Sequence, residues 1–322
     1  MFQALIGTIL RLAALASAGF VVFRHPWMQK HALRPFVFGV LYVLFPFYLV
    51  VRIPAGWESA QALSPGFMVF MFLLSPITLI VAGAFGMGLS RIAGPRISRP
   101  GDFVLPSEIH NAGFIPLPIL ERLAPEPIIL GMFLYITAFN ASFWAVIAPR
   151  IRAGSFSWRI LRFPLNPPIV AIGLGFALAL LGLQDWIPEP TLQAATRVGQ
   201  LGLDGALVAL GASLAGIREP ISLDSDHRWF AVGRMIVFPA LVLGLMALPI
   251  PGLDGPLGWS IRLLVIMQAA MPPATQTVVL TRAVGKPESV HYTGSMTVFS
   301  YAASLLTIPL FVSLSLWFFP PG

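Results

Sequence analysis

Two short stretches carry the residues best suited to chemistry. HNAGFIPLP (residues 110–118) and QAAMPPATQ (residues 268–276) each set two prolines beside amide side chains within apolar runs. A proline inside a helix removes a donor and clashes with the preceding turn, at about 3 kcal/mol. A helix broken in lipid also leaves backbone N–H and C=O groups that hydrocarbon cannot satisfy, so such a break survives only where protein buries it or a wet cavity borders it. The N-terminal ends of two broken helices would offer partial positive charge and free donors, suited to a carboxylate. The C-terminal ends would offer carbonyls, suited to a cation. Asn111, Gln268, Thr275 and Gln276 add neutral hydrogen-bonding groups. With Gly113, Pro116, Pro272 and Pro273 they form the candidate substrate-binding set. A single proline pair is read equally well as a kink; two pairs in corresponding spans point to a site.

Two charges lie inside other apolar runs, Arg11 and Asp204. Charges at the bilayer centre face protein and a partner. One reading makes Asp204 a proton or sodium carrier and Arg11 an anion hook; the favoured reading pairs them with each other. Arg197, Arg262 and Arg234 fall nearer span ends, where long side chains snorkel to the interface. Glu108 and His110 read as a solvated polar cap at the start of the fourth span, or as a titratable gate at its mouth.

Enzymatic chemistry finds little purchase. The chain has no cysteine, and none of its five histidines has HxxxH or HExxH spacing. No GxSxG occurs. No metal site, no cofactor and no enzyme activity are expected. The net charge of +7 does not indicate nucleic acid, because the arginines sit singly or in small clusters between apolar runs.

The elements that would hold these residues are membrane helices. Of the 322 residues 57% are hydrophobic and 10% charged, with a mean hydropathy of +0.83. A soluble domain carries about 25% charged residues. Spans of membrane length fall near 2–23, 34–52, 65–90, 107–124 and 127–149, then 166–184, 191–216, 229–249, 259–281 and 290–318. The first segment reads as an uncleaved span, since its positive charges follow the apolar run. With the N-terminus outside, loops on the inner side hold fourteen of the 20 Lys and Arg residues, and loops on the outer side hold Arg52 and Arg122. The other four are the arginines within spans. The positive-inside rule then places both termini outside, in the periplasm, for a multi-pass protein of the cell (inner) membrane.

The expected fold is an all-α polytopic membrane protein of ten transmembrane helices in two inverted five-helix repeats, with broken crossing helices 4 and 9. The first repeat spans 1–150, a basic cytoplasmic linker 151–165, and the second repeat 166–322. An odd number of spans per half inverts the second half, and the two proline-rich breaks fall in matching spans, as such a repeat requires. Glycines 199, 202, 205 and 211 in the seventh span, and Gly83 and Gly86 in the third, read as sites of close helix packing.

FIPLPIL (114–120), NPPIVAIGLGFAL (166–178), GALVALGASL (205–214), QAAMPPATQTVVLTRAVG (268–285) and TIPLFVSLSL (307–316) together resemble the auxin efflux carrier family of bacterial and plant transporters. The likeness covers nearly the whole chain in order and spacing. It implies a fold shared with bile-acid symporters and sodium/proton antiporters. Spans 3–5 and 8–10 would form a mobile transport domain, and spans 1, 2, 6 and 7 a scaffold, often homodimeric. It also implies secondary-active transport of a small organic anion, with H+ or Na+ as candidate coupling ions. Asn111, Pro116, Pro272 and Pro273 match the family's crossing motif. Plant members carry an acid and a lysine in the third span; here that span has only Ser75, Thr78 and Pro76, which argues against auxin itself. The long central loop of many plant members is also missing. A non-transporting membrane sensor or scaffold with the same fold is the alternative.

Overall fold

The computed structural model describes residues 2–60, 64–94, 97, 99–147, 167–217, 224–284 and 287–321. Among them there is no β-strand, and nearly all the chain is helical. Among the described residues seven helices are long and apolar enough to cross a membrane: Leu5–Arg24, Leu33–Glu58, Pro65–Ala93, Glu126–Ala145, Glu189–Ala215, Ser225–Met246 and Glu288–Phe318. Pro167–Leu180 and Gly258–Ala270 are apolar but shorter. Large apolar side chains such as Leu10, Ile80, Ile92 and Leu306 stand exposed, as on a surface that meets lipid rather than water. The basic linker expected at 151–165 lies outside the described residues.

The chain divides into two compact units, and each takes residues from both halves of the sequence. One unit comprises Arg11–Leu73 and Ile129–Gly216. It contains α1 (Phe2–Arg24) from Arg11 onward, α2 (Pro26–His31), α3 (Leu33–Gly39), α4 (Phe45–Ala60), the first part of α5 (Pro65–Ala93), most of α8 (Glu126–Ser142), α9 (Pro167–Leu180) and α10 (Glu189–Ala215). The fifth span, expected to move with spans 3 and 4, thus clusters from Ile129 onward with the first, second, sixth and seventh. In this unit α9 and α10 pack on α4. The glycines of α10 make that approach close. A β-carbon at Gly202 would collide with the Leu44 carbonyl, and one at Gly211 with the Ala16 carbonyl. At Gly199 it would lie 3.1 Å from Tyr48 Cα, and at Gly205 3.2 Å from a Val40 methyl.

A π-helical turn, Val40–Leu44, joins α3 to α4. Pro46 stands two residues beyond it, after Phe45, and its ring cannot tolerate the carbonyl four residues back in α-helical position. Widening the preceding turn moves that carbonyl aside without breaking the span. The same device recurs at Phe230–Val237, just before Pro239.

The other unit comprises Met1–Leu10, Leu74–Ile128 and Ile217–Gly322. It holds the second part of α5, then α6 (Pro100–Glu108), α7 (Pro116–Leu123), α11 (Ser225–Trp229), α12 (Phe238–Met246), α13 (Gly258–Ala270), α14 (Gln276–Val284) and α15 (Pro287–Phe318). α13 and α14 both pack on α15, and α12 packs on α13. Phe103 of α6 meets Phe230 edge-on, with ring centroids 5.6 Å apart, in a cluster with Leu89, Met235 and Met296. At the end of α11, buried His227 places Nδ1 2.8 Å from Asp224 Oδ1 and Nε2 2.9 Å from Ser295 Oγ, tying α11 to α15.

Span 4 differs from its expected bounds. Its first half-helix begins at Pro100, not near 107, because PGDFVLP lacks the hydropathy that marks a span while Pro100 suits the first helical turn. Glu108 is therefore the last residue of a half-helix. Glu108 is 5% exposed and His110 1% exposed, so neither belongs to a solvated cap.

Candidate functional site

The helical path stops after Glu108 and resumes at Pro116; it stops again after Ala270 and resumes at Gln276. The two interruptions meet. Residues around His110 and Pro273 pair as a short antiparallel bridge. Asn111 N–H donates to the Pro272 carbonyl at 2.8 Å, and Ala274 N–H donates to the Ile109 carbonyl at 2.9 Å. Each break thus satisfies part of the backbone that the other leaves open, which is how two non-helical segments can persist deep in an apolar protein.

The eight candidate residues of this unit come together here. Asn111 is buried; its Nδ2 donates to Tyr301 Oη at 2.8 Å, and its Oδ1 accepts from Phe114 N–H at 3.0 Å and from Gly113 N–H at 3.4 Å. Asn111 therefore caps the segment leading into α7. Leu117 N–H goes to the Gly113 carbonyl, and Pro116 and Pro118 carry no N–H. The start of α7, expected to offer free donors, is largely closed by its own prolines and by this asparagine. Gln268, on the last turn of α13, is buried and donates through Nε2 to the Ala112 carbonyl at 3.3 Å, which ties one break to the other.

The start of α14 is different. Among the hydrogen bonds of the described residues, none uses the N–H of Thr275 or Gln276. Gln276 Oε1 and Thr277 Oγ1 are buried without a hydrogen-bond partner. Such atoms cost about 1–3 kcal/mol each while unsatisfied. The second break thus presents donors and acceptors that the fold itself does not use.

Arg234 bears on the opposite ends. It is 2% exposed, the largest fully buried side chain, and does not snorkel as a residue near a span end would. Nε donates to the Ser107 carbonyl at 2.9 Å and a terminal nitrogen to the Ala269 carbonyl at 2.6 Å. Those carbonyls belong to the last turns of α6 and α13, the two half-helices that end at the crossing. The guanidinium carbon lies 4.7 Å from the centre of the Phe238 ring. The interaction with two orphan carbonyl ends draws the side chain inward, where water at the span end would otherwise hold it. A charge inside a span is by default a functional candidate, and that signal was present at Arg234. Nothing comparable marked Tyr301, one polar side chain in a long helix. Nearby, Gly83 and Gly86 of α5 make room for the side chains of Glu108 and Ser107 respectively, the close packing their types suggested.

Arg11 and Asp204 lie in the other unit and form an ion pair with each other, nitrogen to oxygen 2.5 Å. Their side chains are 50% and 31% exposed, so the pair lies at the surface of the chain rather than enclosed by it. Arg262 likewise donates to backbone carbonyls, that of Met246 at the end of α12 at 3.1 Å and that of Leu253 in the following loop at 2.8 Å. Among the described residues no three His, Asp or Glu side chains converge as a metal site would need.

Residues 154–312 match the family model described as membrane transport protein, which is that of the auxin efflux carriers. That match covers just under half of the chain. Together with the long apolar helices, the match supports a multi-pass membrane transport protein. A comparison with curated proteins finds no match. The family match spans α9 to most of α15 and includes the second break; the first break, at 109–115, lies outside it. In this auxin efflux carrier relative, the part shared with the family therefore contains the open start of α14 and both carbonyl-seeking arginines, Arg234 and Arg262.

Proposed function

We propose that the protein is a secondary-active carrier of a small organic anion, a mono- or dicarboxylate, working by alternating access around the crossing of spans 4 and 9. The observation that carries this reading is the open start of α14: the Thr275 and Gln276 amides and the buried Thr277 hydroxyl, donors beside the antiparallel junction that have no partner in the fold. A carboxylate accepts from amides, and the partial positive charge of a helix start favours it further. Thr275 and Gln276 would bind the anion, Gln268 would line the site, and Asn111, Gly113, Pro116, Pro272 and Pro273 would hold its shape. Arg11 and Asp204, paired elsewhere, would stabilise their own unit.

In this reading the chain carries ten spans as two inverted repeats, 1–150 and 166–322, joined by the linker at 151–165. It resides in the cell membrane with both termini outside and dimerises through spans 1, 2, 6 and 7. The antiparallel bridge supports it: the two breaks run in opposite directions where His110 and Pro273 pair, as two oppositely oriented copies of one element would.

The test is flux. Purified protein in lipid vesicles is offered labelled mono- and dicarboxylates, with labelled lysine and glucose as controls. Saturable uptake of one or more carboxylates, competed by unlabelled acid and absent for the controls, is expected. Vesicles that take up none of the acids while the protein is folded and inserted would leave the sensor or scaffold alternative standing.

A further inference from the structure

We propose that Arg234 is a built-in cation at the carboxyl ends of the crossing, filling the place that a coupling metal ion would otherwise take, so that the anion moves without sodium. The inference deepens the carrier reading, and its statement about sodium-free transport rests on that reading.

Each helix carboxyl end carries roughly half a negative charge. Two such ends, those of α6 and α13, meet at one point, and together they call for about one positive charge. Arg234 supplies one, with a nitrogen on each end: Nε on Ser107 and a terminal nitrogen on Ala269. The planar guanidinium fork spans two carbonyls at once, which a lysine ammonium, a compact point charge, does not. The Phe238 ring at 4.7 Å covers its face and lowers the cost of keeping it from water. The other ionisable groups at these ends are Glu108, the last residue of α6, and His110, one residue into the break; both are buried, and Glu108 lies over Gly83. Carbonyls that would ligate a metal ion are thus already ligated by the chain. The amino ends remain for the substrate, and no cation has to enter with it.

The test separates this inference from the carrier reading by using stability as well as flux. Full-length wild type and R234A are melted in detergent with sodium chloride, choline chloride or millimolar guanidinium chloride at matched ionic strength. R234A is expected to melt about 5–10 °C below wild type, to recover part of that loss in guanidinium but not in choline, and to respond to sodium where wild type does not. Wild-type carboxylate flux is expected to be the same in sodium and in choline. An R234A variant as stable as wild type, or unmoved by guanidinium, overturns the proposal. If R234A cannot be purified folded, the wild-type arms decide: a sodium-dependent rise in wild-type Tm overturns it, and equal Tm and equal flux in the two salts support it. Absence of all carboxylate flux by wild type would refute the carrier reading while leaving the melting comparison intact.

Discussion

Removing the Asn111 side chain would strand three groups at once: the amides of Gly113 and Phe114, which it caps, and the hydroxyl of Tyr301, which it contacts at 2.8 Å. Loss of a cap costs about 0.5–2 kcal/mol and loss of a neutral hydrogen bond about 1 kcal/mol. Asn111→Ala should therefore lower Tm by about 5 °C, read by thermal unfolding in detergent, with Tyr301→Phe giving a smaller drop. Gln276 has the opposite standing, since its Oε1 has no partner to strand. Gln276→Leu should leave Tm within about 2 °C of wild type, yet raise the half-saturation concentration for carboxylate uptake about tenfold, the loss of roughly 1.4 kcal/mol of binding. Unchanged half-saturation in that variant would remove Gln276 from the site. The two amides are indistinguishable by type and setting, each beside a proline pair. What separates them is the order of prolines and helix start. In PLP the prolines occupy the first helical turn and remove donors from it, whereas in MPPATQ they precede the turn and leave its donors free.

Along a helix, small residues tell in advance where another backbone will pass. The glycines of α10 were legible for this reason, and their β-carbon positions point at Leu44, Tyr48, Val40 and Ala16. Gly211→Ala pushes a methyl into the Ala16 carbonyl, a backbone atom that cannot swing away. Overpacking of this kind costs about 1–3 kcal/mol. Gly173, on α9, has nothing within 4 Å of its β-carbon, so Gly173→Ala should gain the helix propensity alone. Thermal melts of the two variants should move in opposite directions; a Gly211→Ala protein as stable as wild type would mean that α1 and α10 do not pack as described. Other features of the elements were not legible, for physical reasons. Hydropathy placed most ends of the long spans to within a few residues, but it stopped the second at 52 where the helix runs on past Glu58, and it missed the start of α6, where Pro100, Gly101 and Asp102 dilute the apolar signal. The π-turns before Pro46 and Pro239 leave no mark in hydropathy, since a turn widened by one residue in an apolar span keeps the same composition. Arg234 was misplaced because its distance from the span end suggested water as its partner. Which carbonyls lack a partner is a property of two breaks far apart in sequence, and only the folded backbone brings Ser107 and Ala269 to one guanidinium.

For the molecule as a whole, inversion of the second half decides from which sides of the membrane the two carboxyl ends reach Arg234. If α6 approaches the crossing from the inside and α13 from the outside, their carboxyl ends converge and one arginine can serve both. Were the halves parallel, the two half-helices would come from the same side. In the proposed inverted repeats the first and sixth spans take equivalent places, so the loops that follow them should lie on opposite sides of the membrane. His25 follows the first span and is exposed; Trp186 follows the sixth and is 86% exposed. The chain has no cysteine, so a single introduced cysteine is the only thiol in the protein. A membrane-impermeant maleimide applied to intact cells should label Trp186→Cys and spare His25→Cys, and both should label once the membrane is opened. The basic residues around each loop agree with that assignment, since Arg24, Lys30 and Arg34 flank His25, whereas Asp185 and Glu189 flank Trp186. Labelling of both cysteines in intact cells, or of neither, would place the two loops on one side. The repeats would then be parallel, and both carboxyl ends would reach Arg234 from one side of the membrane.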